Sequence, residues 1–200
     1  MNVWDRIEQS RERCNVLEHP FYQRWSAGEL SGEEIAHYAG QYGHAVRAIA
    51  EFSDSLADAA QDQPELRAHA REEAAHVALW DGFTTAVGGD VRATPSLETS
   101  DCVQAWTEDA GLVAGLARMF AIESGQPEIS RTKLVGLRDH YRVESGAGTR
   151  YFELHEHRDV EHAAEGRHLI EELAEASEAD AIVTSAESAF AANWRLLDGV

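Results

Sequence analysis

The chain has 200 residues, 44% of them hydrophobic and 26% charged, a composition that predicts a folded globular protein and excludes a disordered tail. The 36 acidic residues exceed the 17 basic ones, and the net charge of −19 excludes nucleic acid and anionic membrane surfaces as favoured partners. No apolar run is long enough to span a membrane. Cys14 and Cys102 form no CxxC pair, so we expect a cytoplasmic protein without a disulfide framework or a thiolate zinc site.

Helical periodicity continues along the whole chain, and no segment alternates in the manner of a strand. The pattern predicts seven helices, over approximately residues 3–18, 31–60, 64–88, 99–125, 127–142, 149–176 and 178–197. Pro20 breaks the first of them, and a short helical turn through Trp25 follows. Ser31 and Glu34 form the pattern of a capping box. We therefore predict an all-α fold, a single-domain seven-helix bundle that comprises residues 1–200.

The sixth predicted helix carries His155, Asp159 and His162 at positions i, i+4 and i+7. This spacing places the three side chains on one helix face, which continues through Leu169 and Leu173 toward the core. Two imidazoles and a carboxylate are costly to bury unless something compensates them. The motif therefore indicates a metal site.

Two other predicted helices contribute similar groups. His76 lies in line with the core residue Trp80, and both Glu73 (i−3) and Glu72 (i−4) share its face, so either glutamate is a candidate ligand. The spacing Glu-x-x-His is that of carboxylate-bridged dimetal bundles. On the next helix Glu123 ends an apolar stripe and is a further candidate.

The candidate ligands amount to three histidines and three carboxylates. They are Glu73 (or Glu72), His76, Glu123, His155, Asp159 and His162. Hard nitrogen and oxygen ligands without sulfur suit iron or manganese, and six of them suit two ions better than one. Open coordination positions on such ions would allow O2 chemistry.

Four stretches carry a resemblance to a known family: HPFYQRWSAGELSGEEIAHYAGQY, HVALWDGF, AIESGQPEISRTKLVGL and YFELHEHRDVEHAAEGRHLIE. Over residues 19–172 the chain resembles the haem-oxygenase-like dimetal oxidases and oxygenases, whose fold group includes TenA-type thiaminases and PqqC. In particular it is similar to the CADD-like 4-aminobenzoate synthases. The resemblance implies a seven-helix bundle without haem, with two metal ions (Fe/Fe or Mn/Fe) that use O2 and an external reductant.

The resemblance also implies that the protein makes 4-aminobenzoate from one of its own tyrosines, with a lysine as amino donor. Tyr22 occupies the place of the consumed tyrosine, and Lys133, the only lysine of the chain, that of the donor. Tyr38 and Tyr151 match further tyrosines near the site, and Tyr151 lies at i−4 from His155. The alternative is a dimetal oxygenase that acts on an external amino-acid or fatty-acid substrate.

Two positions depart from the pattern of the synthases. Ile122 stands where they carry a tyrosine before the second glutamate ligand. Their first glutamate and histidine are separated by six residues, and this spacing, counted back from His76, selects His69, which is not an acid. We infer a deletion that leaves a continuous helix and keeps Glu73 or Glu72 as the ligand.

Three other functions are alternatives within this fold group. A TenA-like thiamine-salvage hydrolase needs a nucleophilic cysteine, for which only Cys14 and Cys102 are available. A haem oxygenase needs an early proximal histidine, for which His19 is the candidate by location. A non-enzymatic binding protein would have no use for a buried ligand cluster. The expected partners are O2 and a small molecule, and the sequence is compatible with a homodimer.

Overall fold

The computed structural model describes residues 2–200, and over this range the chain forms helices and connecting loops without any strand. The α-helices are α1 (Val3–Arg13), α2 (Pro20–Ala27), α3 (Gly32–Ala59), α4 (Pro64–Ala86), α5 (Leu97–Thr107), α6 (Leu112–Ser124), α7 (Gln126–Asp139), α8 (Arg150–Leu173) and α9 (Ala179–Leu197). The prediction of an all-α fold is confirmed, but the described part of the chain has nine α-helices where seven were predicted. Within this part, no helix combines the length and apolar character needed to cross a membrane.

One of the two α-helices beyond the seven predicted lies near the start of the chain. The predicted first helix ends at Arg13, and a short 3-10 helix over Val16–Glu18 takes the place of its last turn. The predicted turn through Trp25 is a true helix, α2. It forms because His19 Nδ1 accepts a hydrogen bond from the backbone N–H of Phe21 at 3.1 Å. A proline in the first turn supports it further, since the N–H that proline lacks would have no partner there.

The predicted fourth helix is two helices, α5 and α6. Gly111 between them has φ +78°, a conformation that residues with a Cβ rarely adopt. Asp109 Oδ1 accepts a hydrogen bond from the N–H of Gly111 at 3.0 Å and fixes the turn. No proline marks this break, so the apolar pattern alone predicted a continuous helix.

Helix α8 lies at the centre of the arrangement, because it packs against α4, α6 and α7. Helices α3 and α4 pair in opposite directions: Trp80 Nε1 donates to the carbonyl of Ala39 at 2.8 Å near one end, and Arg67 contacts Asp54 at 3.0 Å near the other. The predicted capping box at Ser31 is present at the start of α3. The buried face of α8 is thereby directed toward both α4 and α6.

Helix α2 is held against α7 by a close contact between an indole and a glycine. Trp25 is fully buried, and a Cβ built on Gly136 would lie only 2.7 Å from Trp25 Cδ1. The Tyr141 hydroxyl donates to the carbonyl of Trp25 at 3.0 Å and holds the same turn. This contact sets the position of Tyr22, on α2, relative to Lys133, on α7.

Gly136→Ala is expected to destabilise the protein by about 1–3 kcal/mol relative to Gly32→Ala, because the added methyl group overpacks the Trp25 contact. Gly32 is the matched control, since a Cβ at this helical position meets no atom within 4 Å. Urea denaturation of both variants measures the difference. Equal free energies of unfolding would contradict the proposed role of the contact.

Candidate metal centre

Three helices bring all six predicted ligands together, and they add a seventh residue. Helix α4 contributes His69, Glu73 and His76, helix α6 contributes Glu123, and helix α8 contributes His155, Asp159 and His162. Each of the six predicted ligands is at most 4% exposed. His69 lies one turn before Glu73 on the same face of α4.

A first group of ligand atoms lies between α4, α6 and α8. His69 Nε2 is 2.7 Å from Glu123 Oε1 and 3.7 Å from Glu73 Oε1. His162 Nδ1 is 3.8 Å from the same two carboxylate oxygens. One ligand atom from each of these four residues lies within 4.8 Å of all the others, a separation that a single ion can fill.

A second group lies further along α4 and α8 and consists of Glu73, His76 and His155. His76 Nδ1 is 3.0 Å from Glu73 Oε1, and the rings of His76 and His155 are 4.6 Å apart. Glu73 belongs to both groups, so its carboxylate could serve both. Asp159 Oδ1 is 3.6 Å from His162 Nδ1, so a third carboxylate adjoins the first group.

The ligand atoms fit metal ions because most of them have no hydrogen-bond partner in the protein. Among residues 2–200, twelve buried side-chain nitrogen or oxygen atoms lack a partner, and seven of them are in this cluster. They are His69 Nε2, Glu73 Oε1, His76 Nδ1, Glu123 Oε1, Asp159 Oδ1 and Oδ2, and His162 Nδ1. Buried polar atoms are almost always hydrogen-bonded, so such a concentration indicates that cations are their partners. The nitrogen and oxygen donors suit iron or manganese.

Hydrogen bonds outside the cluster determine which imidazole nitrogen is free on α8. His155 Nδ1 donates to the carbonyl of Tyr151 at 2.7 Å, which leaves Nε2 for a metal ion. His162 Nε2 donates to Glu72 Oε2 at 3.2 Å, which leaves Nδ1. Glu72 lies outside both ligand groups and is half-buried, so the geometry favours Glu73 as the ligand on α4.

The electrostatics of the cluster reflect its burial. Burial raises the pKa of Asp159 to about 7 and lowers the pKa of His155 to about 4. Burial opposes charge on His69 as well, but the neighbouring Glu123 and Glu73 outweigh it and raise its pKa to about 10. Protons therefore balance part of the negative charge in the metal-free protein, and bound cations would displace them.

Lys133 occupies a cage of aromatic rings beside the metal cluster. Its Nζ lies 4.8–5.6 Å from the centres of five rings, those of Tyr22, Tyr38, Tyr42, Trp80 and Phe152. Burial lowers the pKa of Lys133 well below its ordinary value. The amine is therefore much more readily neutral, and hence nucleophilic, than that of a surface lysine.

Aromatic contacts connect the cage to the candidate metal ligands. The Tyr151 ring stacks on that of His155 at 3.9 Å, and the Trp80 ring lies 4.8 Å from that of Tyr151. The structure thus brings the predicted Tyr22, Tyr38 and Lys133 together, and Tyr151 lies between them and the metal cluster. Sequence reasoning missed Tyr42, Trp80 and Phe152 as cage residues. Two of the three could have been found from the sequence. Tyr42 shares a helix face with Tyr38, and Trp80 shares one with His76.

A small cavity adjoins the ligands on the side of the cage. Ile122 and Tyr151 line it with the ligands Glu73, Glu123, His155 and Asp159. Its volume of about 10 Å³ corresponds to one water-sized molecule. The cavity therefore has room for water or O2 beside the ligands and not for an organic substrate.

The residues that a TenA-like hydrolase or a haem oxygenase would use either lie outside the cluster or already have other partners. Cys102 is fully buried, and burial raises the pKa of its thiol, which opposes the thiolate that a nucleophile requires. Cys14 follows α1, a helix that contributes nothing to the cluster. His19 caps α2 through Nδ1, and its Nε2 is 3.3 Å from Asp198, so both ring nitrogens already have partners.

Comparison with known proteins identifies the family. The sequence profile of a family described as iron-containing redox enzymes matches residues 42–194, which is more than half of the chain. A 4-aminobenzoate synthase from Nitrosomonas europaea is 31% identical, and the match covers 98% of this chain and 88% of that protein. A 4-aminobenzoate synthase from Chlamydia trachomatis is 28% identical, over 99% of this chain and 91% of that protein. These matches confirm the predicted resemblance and the prediction of an oxidoreductase.

Solved structures share the fold at low sequence identity. A TenA homologue from Pseudomonas syringae pv. tomato superposes with a TM-score of 0.81 at 17% identity, over 98% of this chain and 89% of that one. A domain with a haem-oxygenase-like fold from Shewanella denitrificans superposes with a TM-score of 0.77 at 16% identity, over 100% and 91% of the two chains. The predicted haem-oxygenase-like fold is confirmed.

Asp159→Asn is expected to stabilise the metal-free protein at pH 8 while it weakens metal binding. Burial holds the pKa of Asp159 near 7, above its value of about 4 in the unfolded chain, so the ionised group opposes folding above pH 4. This cost grows until about pH 7. Its removal is worth on the order of 4 kcal/mol at pH 8 and almost nothing at pH 4. Urea denaturation in the presence of a chelator measures it.

The exposed Asp62, substituted by Asn, is the control for the loss of one negative charge. A gain in stability for Asp62→Asn as large as that for Asp159→Asn would attribute the effect to net charge. A gain for Asp159→Asn that did not depend on pH would argue against the buried carboxylate as its origin.

Proposed function

Because the chain belongs to the family of iron-containing redox enzymes, we propose that it is a non-haem oxidoreductase that activates O2 at a centre of two metal ions, either Fe/Fe or Mn/Fe. The observation that carries the proposal is the convergence of seven side chains from α4, α6 and α8 on two overlapping ligand groups with unpartnered donor atoms. O2 and an external reductant are the co-reactants.

The two ligand groups suggest how the ions would be held. His69, Glu123 and His162 would hold one ion, His76 and His155 the other, and Glu73 both. Asp159 would add a carboxylate beside His162. Bound in this way, the ions would supply a site where O2 is reduced. The protein's own contribution is to hold the donors in place and to keep bulk water out of the cluster.

His69→Ala is expected to lower the metal content from about two ions per chain to about one, because the first ligand group loses its contact to Glu123. His69→Glu, which introduces an acid at this position, is expected to retain two ions. Elemental analysis after loading with Fe(II) or Mn(II) and gel filtration measures the content. His157→Ala is the control, since His157 is an exposed histidine of α8. Two tightly bound ions in His69→Ala would exclude His69 as a ligand.

We propose further that the protein forms 4-aminobenzoate from its own Tyr22 with Lys133 as the amino donor. Three observations support this. The relatives reported above carry the name 4-aminobenzoate synthase. The Lys133 amine, which burial favours in its neutral form, lies 5.6 Å from the centre of the Tyr22 ring. The cavity beside the ligands is too small for an external organic substrate.

The proposed product defines which bonds change. The Cα–Cβ bond of Tyr22 breaks, and Cβ becomes the carboxylate carbon. The bond from the ring to the phenolic oxygen is replaced by a bond to Lys133 Nζ, and that oxygen leaves as water. Lys133 Cε loses its nitrogen and becomes an aldehyde carbon, and Tyr22 Cα takes a hydrogen and stays in the chain as a glycine residue. Tyr22 Cβ and Lys133 Cε are oxidised, O2 is reduced to water, and the new carboxylate oxygens come from O2 or water. Each chain would then react once.

Isotope labelling is expected to trace the product nitrogen to Lys133. Since this is the only lysine of the chain, protein grown with lysine labelled with ¹⁵N at Nζ carries the label at one side chain. After loading with Fe(II) and exposure to O2 and a reductant, mass spectrometry should find ¹⁵N-labelled 4-aminobenzoate in at most one equivalent per chain. Unlabelled product would exclude Lys133 as the donor.

Tyr22→Phe should abolish the product, because the phenol carbon is where the amine enters. Tyr141→Phe is the matched control, because it also removes a phenolic hydroxyl, one that holds α2 through the carbonyl of Trp25, but leaves the Tyr22 phenol itself, so product should still form. Consumption of O2 without any 4-aminobenzoate from the unmodified protein would instead favour an oxygenase with an external substrate.

A further inference from the structure

Glu72 and Arg158 form an ion pair at the edge of the ligand cluster. Arg158 Nε donates to Glu72 Oε2 at 2.7 Å, and Nη2 donates to Oε1 at 2.9 Å, in the two-point geometry that fixes a carboxylate firmly. Glu72 directly precedes Glu73 on α4, and Arg158 directly precedes Asp159 on α8. The pair therefore joins the two helices next to two of the proposed ligands.

The same carboxylate also holds His162. Glu72 Oε2 accepts a hydrogen bond from His162 Nε2 at 3.2 Å. The opposite nitrogen of that ring, Nδ1, lies 3.6 Å from Asp159 Oδ1 and 3.8 Å from the Oε1 atoms of Glu73 and Glu123. With Nε2 protonated and held by Glu72, the lone pair of Nδ1 faces the carboxylate oxygens. Carboxylates that orient metal-binding histidines in this manner set both the tautomer and the ring plane.

We propose that Glu72, fixed by Arg158, is a positioning residue that holds His162 so that Nδ1 faces the metal centre, and that Glu72 is not itself a ligand. This inference rests on the proposed metal centre. Both Glu72 oxygens already accept hydrogen bonds, and the side chain is 37% exposed, unlike the buried ligands. A half-exposed ion pair contributes little to stability, so its value lies in orientation.

Metal affinity of the full chain tests the proposal. With Zn(II) as the probe and a competing chelator, Glu72→Ala is expected to weaken the binding of one ion by about 10–100-fold. Two ions should still bind at saturating Zn(II), because every ligand remains. Glu72→Gln should have a smaller effect, since an amide oxygen can still accept the bond from His162 Nε2. Glu161→Ala is the matched control, because the Glu161 carboxylate also pairs with Arg158, whereas the His162 ring is held by Glu72. Its affinity should change less than about 2-fold.

Nitrogen NMR of ¹⁵N-histidine-labelled protein supplies a second readout, which does not depend on activity. In the metal-free protein, at a pH where His162 is neutral, Nε2 should carry the proton, and Glu72→Ala should produce a mixture of tautomers. In the zinc-loaded protein Nδ1 should show the shift of a metal-bound nitrogen.

The outcomes that overturn the proposal are distinct. Loss of one ion at saturation in Glu72→Ala would make Glu72 a ligand, and equal affinities of Glu72→Ala and Glu161→Ala would make the pair merely structural. An unchanged tautomer of His162 in Glu72→Ala would also overturn it. If the unmodified protein bound no metal, the proposed function would fail, whereas the tautomer measurement would still decide the role of Glu72.

Discussion

Three carboxylates and four imidazoles share a buried space between α4, α6 and α8, and removing them from bulk water carries a free-energy cost that the surrounding helices must offset. Burial raises the pKa of Asp159 to about 7, while the neighbouring carboxylates raise the pKa of His69 to about 10. The shift of His69 reflects the negative charge of Glu123 and Glu73, and the same two carboxylates add to the effect of burial on Asp159. A bound cation would offset this negative charge, and its binding would then be coupled to the stability of the fold.

The aromatic cage solves a similar problem by different means. Lys133 lies deep in the bundle without a carboxylate against its amine, and burial favours the neutral form. The rings of the cage belong to α2, α3, α4 and α8, so the cage depends on how these helices pack. The contact of Trp25 with Gly136 sets how closely α2 approaches α7. Trp80 contributes both to the cage and to the Tyr151 contact that leads to the ligands. The packing that forms the cage therefore also places it beside the metal centre.

The sequence predicts the parts of the site that lie along one helix. The spacing of His155, Asp159 and His162 is a local pattern, and the structure places all three side chains on the buried face of α8. The choice between Glu72 and Glu73 was not predictable, because both share a face with His76 and only the arrangement of α8 separates their roles. His69 was passed over because an acid was expected there, although it lies one turn from Glu73. The cage and the lysine inside it draw on five helices, and no local periodicity encodes such a contact.

Under the proposed function, the cavities beside the candidate ligands can be small because the reacting groups belong to the chain itself. A protein that consumes its own side chains needs no entry path for an organic substrate, but O2 must reach the metal ions. One cavity of about 20 Å³ is lined by His69, Glu123 and His162, by apolar side chains and by the exposed Glu165. The cavity of about 10 Å³ on the cage side has room for a small molecule only. Cavities of this size can hold O2, and the aromatic groups nearest to the candidate ligands are those of the chain itself.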